Sequence, residues 1–419
     1  MVERVFADGS RIVIVNHPSG TSDVVLQLHG RQISRVVIVP MLMRIGAAVV
    51  RMDGIGGVST EEEFRNRGYS RRVMETAVQQ MRRQGDAALS TLFGIEDFYQ
   101  KFGYETTGPE YTVVVPLADA GAPTRSLPRG WRFRPLTVDD MPAVMRLYHA
   151  NTRRATGALV RHDAVDDPSE TERLAGVNPD AQKIGIRAWN KLQAIAVEPG
   201  EDACRVLVDQ SGRIAAYAWF GANWWMGVRR RDLPRAFHIA EGMARDAEAA
   251  DALLVACETW GNEARSNCDS IALAIPPDGL VAWGAAYEGG QMLAVYTRGG
   301  NFMGRVLDVS RLLSQLLPQL AARVRSSRLP FQGRLTFRTE EGESSIVITA
   351  DDVLVDGDAN GEGLLVELPQ TALARLCLGG FDPGDVLARL PNRPDREVEA
   401  VLRVLFPQRM PHIYPMDRF

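Results

Sequence analysis

The sequence predicts an α/β (α+β) protein built from two or three domains, and three observations support that expectation. At 419 residues the chain exceeds the usual size of one domain. A 45% hydrophobic content supports well-packed cores. Short apolar runs rich in β-branched residues alternate with stretches of helical periodicity. The clearest instance is residues 54–74, GIGGVSTEEEFRNRGYSRRVM, where a strand, a basic glycine turn and a helix start follow one another.

The first unit is expected over 1–117. Strands are predicted at Arg11–Val15, Val24–Leu28, Ser34–Pro40, Ala47–Arg51 and Gly54–Thr60. A helix begins at Gly68, because Val73, Ala77, Val78 and Met81 fall on one apolar face and Gly85 is a natural stop. The strands Leu89–Phe93 and Tyr111–Val115 complete the unit. The turn before the helix, Arg65-Asn66-Arg67-Gly68-Tyr69-Ser70, presents backbone N–H groups with no intrahelical acceptor and lies at the positive end of a helix dipole. Those properties suit an anion, best a pyrophosphate. No Gly-Lys-Ser/Thr follows the glycine and GxGxxG is absent, so neither a P-loop nor a dinucleotide fingerprint is present.

The spacing Arg65-x-x-Gly68-x-Ser70 resembles the acetyl-CoA motif of the GNAT N-acetyltransferases, R/Q-x-x-G-x-G/A, with Ser70 replacing the last small residue. About 30 residues on, GIEDFYQKFGY (94–104) resembles a second block of that superfamily, with Phe98-Tyr99, Lys101 and Phe102-Gly103-Tyr104 at matching positions. Core packing alone would also use Phe98, Phe102 and Tyr104.

A polar, Pro/Gly-containing linker is expected over 118–130, and a second unit over 131–302. It opens with a short strand and a helix to Thr152, N-capped by Asp139 or Asp140. Strands follow at Cys204–Asp209 and Ile214–Phe220, then a helix over Pro234–Ala249 and a strand at Ala252–Cys257. This order is similar to a GNAT domain, but Arg229-Arg230-Arg231-Asp232 stands where the glycine turn should be. The triplet is either a phosphate contact or a solvated run, and Asp232 is a natural N-cap. The unit reads as a degenerate GNAT-like domain without acetyl-CoA.

The third unit, 303–419, has an amphipathic helix over Val306–Leu320 and strands at Gly333–Arg338, Ser344–Thr349 and Gly363–Glu367. Helices follow at Pro369–Leu378, ending at Gly379-Gly380, and at Glu397–Leu405. The stretch Val366–Gly380 resembles the sterol-carrier-protein-2-like fold. Two GNAT-like domains, such a third domain and a terminal aromatic together resemble the enhanced intracellular survival (Eis) acetyltransferases.

That resemblance implies an acetyl-CoA-dependent N-acetyltransferase acting on a primary amine: an aminoglycoside, a polyamine or a lysine side chain. Arg65, Asn66, Arg67, Gly68, Tyr69 and Ser70 would cradle the pyrophosphate. Val58, Ser59 and Thr60, on the strand from Gly57, would bond the pantetheine arm, with the Val58 N–H near the thioester oxygen. Tyr99 aligns with the family's general acid; a tyrosine pKa near 10 keeps it able to protonate a thiolate. The carboxylate of Phe419 would be the proton acceptor. A free α-carboxyl titrates at about 3.3–3.7, so a desolvated or water-relayed role is required. A disordered tail is the competing reading of that segment, a core aromatic that of Tyr99, and a solvated connector that of Glu61, Glu62 and Glu63. The resemblance also implies a homo-oligomer, often a hexamer.

One departure stands out. GNAT domains place one or two acceptor-wall helices between their first two strands, whereas here Asn16–Asp23 leaves no room for them. A non-catalytic acyl-CoA-binding or scaffold protein, and a carrier of an apolar ligand, are therefore the alternatives. The formal net charge of −4 argues against a nucleic-acid partner. Cys204, Cys257, Cys268 and Cys377 have neither CxxC nor metal spacing, and the histidines form no HExxH, so no metal is expected. No signal peptide and no apolar run of membrane length are visible, which predicts a cytoplasmic protein without a membrane partner.

Overall fold

The computed structural model describes residues 3–117, 125–161, 203–221, 232–264, 268–327, 331–356 and 363–419. In chain order the elements are β1 (Glu3–Val5), β2 (Arg11–Asn16), β3 (Ser22–Leu28), β4 (Arg31–Ile45), β5 (Ala48–Thr60), α1 (Tyr69–Gln84), β6 (Leu89–Ile95), β7 (Glu105–Gly108) and β8 (Glu110–Pro116). Next come β9 (Arg132–Pro135), α2 (Met141–Thr152), β10 (Thr156–Leu159), β11 (Ala203–Val208), β12 (Ile214–Phe220), β13 (Ala236–Ala244), α3 (Ala247–Ala264), β14 (Ser270–Leu273), α4 (Leu280–Tyr287), β15 (Gln291–Val295) and β16 (Gly299–Val306). The chain ends with α5 (Val309–Ser326), β17 (Gly333–Thr339), β18 (Gly342–Ile348), β19 (Val353–Asp356), β20 (Leu364–Glu367), α6 (Gln370–Leu378), α7 (Pro383–Leu387) and α8 (Arg396–Leu405).

Among the described residues these strands form three sheets. The first runs β1-β2-β3-β4-β5-β6-β16-β7, with β10 added to the far end of β4. The second runs β15-β8-β14-β13-β12-β11-β9, and the third β19-β18-β17-β20. The mixture is visible in the first sheet, where β5 and β6 are parallel and the other pairs antiparallel.

Alternation along β5 separates two cores. Ile55 packs with Val73, Met74 and Ala77 of α1, whereas Met52 packs with Leu312, Leu313 and Leu316 of α5. The first sheet is thus covered by α1 on one face and by helices of the third unit on the other. β2 and β3 form a hairpin across residues 17–21, so nothing helical separates the first strands.

Several expectations need correction. Ala47–Arg51 and Gly54–Thr60 are one strand, because Met52 and Asp53 continue the β4 ladder. Tyr111–Val115 does not close the first sheet: β8 pairs with β14 and β15 in the second. Conversely β16, which straddles the expected boundary at 302/303, fills the gap between β6 and β7 in the first. Neighbours so distant in sequence leave no local signal. The expected helix Pro234–Ala249 is the strand β13, and the expected strand Ala252–Cys257 lies inside α3. β13 is buried on both faces throughout, so it lacks the alternation that marks a half-buried strand. Asp232 accordingly caps no helix, and Arg229–Arg231 fall outside the described residues. The expected Val306–Leu320 helix starts later, at Val309, where the Asp308 carboxylate accepts from the Arg311 N–H (2.8 Å), and runs past Pro318 to Ser326. At α2 the N-cap is Asp140, one of the two expected candidates, and it forms a reciprocal capping box with Thr137, which opens the preceding 3-10 turn.

Leu313 is fully buried between the first and third sheets. Leu313→Ala is expected to cost about 2–5 kcal/mol, read as a lower midpoint in urea unfolding.

Candidate active site

The site is built where β5 and β6 part. Parallel pairing covers Met52–Gly54 against Leu89–Thr91 and goes no further, although both strands continue. Beyond Gly54 the β6-facing backbone groups of β5 are therefore available to another partner. On its other edge β5 carries a bulge, with Gly57 and Val58 together opposite Val36 and Gly57 at φ +57°. Val58 is half-buried against the α1 core. Ser59 is exposed, and its carbonyl accepts from the Ser34 hydroxyl (2.9 Å). The Thr60 hydroxyl also meets Ser34 (2.8 Å), and the Thr60 carbonyl accepts from Arg65 Nε (3.3 Å).

The connector from β5 to α1 ends in an open helix start. Gly68 is the N-cap at φ +80°, and no side chain caps the helix. Nothing lies within 4 Å of a Cβ built there, so glycine serves the backbone conformation at this position and not a close approach. Asn66 is also left-handed (φ +62°). Arg65, Asn66, Arg67 and Gly68 are exposed, Ser70 is half-buried, and Tyr69 is buried against Phe64. Arg67 lies over the Phe64 ring (5.6 Å). Glu61 and Glu63 both pair with the exposed Arg31, as a surface connector would.

Tyr99 and Phe419 flank the parting from opposite faces. Leu92 and Gly94 of β6 face the α1 core; a Cβ on Gly94 would lie 2.8 Å from Cε2 of Tyr99. Tyr99 is 8% exposed, and burial pushes its phenol up to about 12. Tyr104 differs: it is fully buried and its hydroxyl is bonded to the Ser90 hydroxyl (2.7 Å), which also donates to the Asp53 carbonyl (2.7 Å). On the other face, a Cβ on Gly54 would lie 2.5 Å from the Phe419 ring, and one on Gly56 would lie 2.7 Å from the Phe419 carboxyl carbon. Phe419 thus rests on two glycines of β5, its ring over Gly54 and its carboxyl over Gly56, and the ring sits 6.3 Å from that of Phe93. The final segment is ordered by burial: residues 411–418 are all buried.

The second sheet contains a related parting that is chemically different. β13 and β14 pair in parallel over Ala236–Ile239 and Ser270–Leu273 only. Only residues 245 and 246 separate β13 from α3, leaving no glycine turn. The Asp246 carboxylate accepts from the Ala249 N–H (2.9 Å), so an anion already occupies that helix start. A pyrophosphate there would meet like charge.

Sequence reasoning missed two features. Arg161, 1% exposed, is held by Glu241 (2.5 and 2.8 Å) and Asp417 (both 3.0 Å); partners 80 and 256 residues away have no sequence signature. Asp53, next to Gly54, is a buried carboxyl. Its alternation with apolar neighbours gave a weak clue. Among the described residues no group of His, Cys, Asp and Glu could hold a metal, and no helix is long and apolar enough to cross a membrane.

Residues 16–107 match the family model described as acetyltransferase (GNAT) domain, so the chain contains a GNAT acetyltransferase domain around this site. No curated protein matches the sequence. Similar solved structures include a GCN5-related N-acetyltransferase from Kribbella flavida (TM-score 0.65, 18% identity, 95% of this chain and 87% of that one). A probable N-acyltransferase from Enterococcus faecalis V583 gives a TM-score of 0.68 at 15% identity, covering 95% and 89%. Eis1 from Mycobacterium abscessus gives 0.56 at 13%, covering 95% and 91%. At these identities the likeness is one of fold, across nearly the whole chain.

Desolvation, reinforced by Asp86 and opposed by Arg51, raises Asp53 to about 7. The folded state then holds a proton that the unfolded chain has lost above its ordinary carboxylate value of about 4. Stability is expected to fall as pH rises from that value to about 7. Asp53→Asn should flatten this slope in urea titrations across the window.

Proposed function

We propose that the protein is an acetyl-CoA-dependent N-acetyltransferase of the Eis type, acting on the primary amine of an aminoglycoside, a polyamine or a lysine side chain. The observation that carries the reading is the parting of β5 and β6, with an uncapped helix start at one end and the chain's own carboxylate against Gly56. The residues fit a pyrophosphate-bearing thioester. Arg65, Asn66, Arg67, Gly68, Tyr69 and Ser70 offer N–H groups and exposed guanidinium charge to the pyrophosphate. Val58, Ser59 and Thr60 offer backbone groups to a pantetheine arm.

Acetyl-CoA supplies the acetyl thioester when bound. The protein's part is to hold it along β5, to bring an amine to the opposite face, and to move two protons. A backbone N–H at the Val58 bulge faces the developing oxyanion. Phe419 carries the terminal carboxylate that takes the proton of the attacking amine, directly or through water. Tyr99 donates its hydroxyl proton to the departing thiolate, on the α1 face. Holding both substrates in register supplies much of the acceleration. The third unit, with its sheet β19-β18-β17-β20, is read as sterol-carrier-protein-2-like, and its service here is to deliver Phe419. The protein is read as a cytoplasmic homo-oligomer, a hexamer by the same resemblance.

A thiol-release assay with acetyl-CoA and a panel of amines tests the reading. Turnover above buffer with at least one amine is expected; tight acetyl-CoA binding with no turnover on any amine would favour the binding-protein alternative, which the helix-free β2–β3 hairpin motivates. Tyr99→Phe should lower kcat by about 10²–10⁴-fold. Because its pKa is raised to about 12, Tyr99 stays protonated through neutral and mildly alkaline pH. Its deprotonation should therefore produce no alkaline fall in kcat below about pH 11. Gly68→Ala, which forces an L side chain into φ +80°, should weaken acetyl-CoA binding in calorimetry while leaving the unfolding temperature within a few degrees.

A further inference from the structure

The second sheet has an opening but, among the described residues, no glycine turn for an anion, and what fills that opening is the segment His412–Asp417. Tyr414 and Met416 pack into the core formed by α2, β12, β13 and α3. His412 Nε2 donates to the Ala274 carbonyl just beyond β14 (3.0 Å), and the His412 N–H donates to Thr156 O of β10 (2.8 Å). Gly157 admits this crossing, since a Cβ there would lie 2.6 Å from the His412 nitrogen. Asp417 then meets Arg161 beside the stretch of β13 that β14 leaves unpaired, where Glu241, itself accepting from the Tyr217 hydroxyl (2.5 Å), holds the guanidinium from the other side. The guanidinium also lies 3.6 Å from the Tyr148 ring centroid, and the Tyr148 hydroxyl reaches Asp417 (3.1 Å). Arg418 continues the hold with Glu110 (2.6 Å) and lies over Phe93 (4.1 Å).

We propose that the second sheet is a receptor for the chain's own C-terminus, and that Arg161, gripped by Glu241, positions the Phe419 carboxylate through Asp417. Its ligand is the segment from His412 to Asp417, held through the Asp417 side-chain carboxylate. The proposal rests on the catalytic reading of Phe419 for its purpose, but not for its geometry. Asp417 is two residues before Phe419, so the Cα of Phe419 can lie no more than about 7 Å from that of Asp417. Charge-assisted, buried hydrogen bonds fix the anchor's direction as well as its place. Arg161, Glu241 and Asp417 are positioning residues; none touches the parting of β5 and β6.

Full-length protein and a carboxypeptidase that removes C-terminal aromatic residues test this without any acceptor amine. Phe419 release, followed by mass spectrometry, is expected to be slow in the wild type and faster by about tenfold or more in Asp417→Asn and Arg161→Met. Asp417→Asn leaves the Arg161–Glu241 pair intact, so it keeps the test decisive if Arg161→Met fails to fold. Arg161→Lys, which retains the charge, should recover part of the protection. Release as slow in folded Asp417→Asn as in the wild type, or rapid release from the wild type, overturns the clamp whether or not the protein acetylates anything. If the variants do release Phe419 while the wild type turns over no amine, the clamp stands and the acetyltransfer reading falls. With an active acceptor, Asp417→Asn should lower kcat and keep the KM for acetyl-CoA within about twofold; a rise in KM in step with the fall in kcat contradicts positioning.

Discussion

The parallel pairing of β5 with β6 stops at Gly54, and much of the molecule is arranged around that interruption. Two strands that continue side by side without bonding leave backbone groups that need partners. The bulge at Gly57-Val58 turns β5 away while keeping it joined to β4. On the far edge of β6, β16 completes the ladder from Leu89 to Ile95, so only the inner edge is left open. The opening is thus local, and the sheet remains continuous on both sides of it. α1 lies on one face with Tyr99; Phe93 and Phe419 lie on the other.

Keeping a chain terminus at such a place is demanding, because a terminal segment loses conformational entropy when it is ordered. Here the loss is offset by burial of Tyr414 and Met416. A buried guanidinium between two carboxylates is weak support for stability in itself, since desolvation opposes the attraction. Its value lies in direction: an apolar contact would tolerate sliding, whereas the two-pronged bonds from Arg161 to Glu241 and to Asp417 do not. That distinction gives the buried charge cluster of the second sheet its structural use.

The sequence made some of this legible and hid the rest for physical reasons. α1 was readable because its buried face, Val73 to Met81, and its two glycine ends follow local rules. Most strands of the first and third sheets were readable from bounded β-branched runs. Gly68 and Tyr99 stand out in the sequence because two short blocks occur in order, and Phe419 because an aromatic residue closes the arrangement that the chain resembles; their roles are proposals. β13 and α3 were misread because strands buried on both faces lack alternation. The exchange of β8 and β16 between sheets, and the meeting of Arg161 with Glu241 and Asp417, depend on contacts across the whole chain and have no local pattern. The short hairpin between β2 and β3 was read directly from the length available.

Hydrogen–deuterium exchange with and without acetyl-CoA tests the central claim most directly, because it asks where on the chain the thioester is held. Protection is expected over Gly56–Thr60 and Asn66–Arg71, with no change over Gly242–Ala249, where Asp246 already caps α3. Protection at the second sheet, or none at the parting of β5 and β6, would contradict the account.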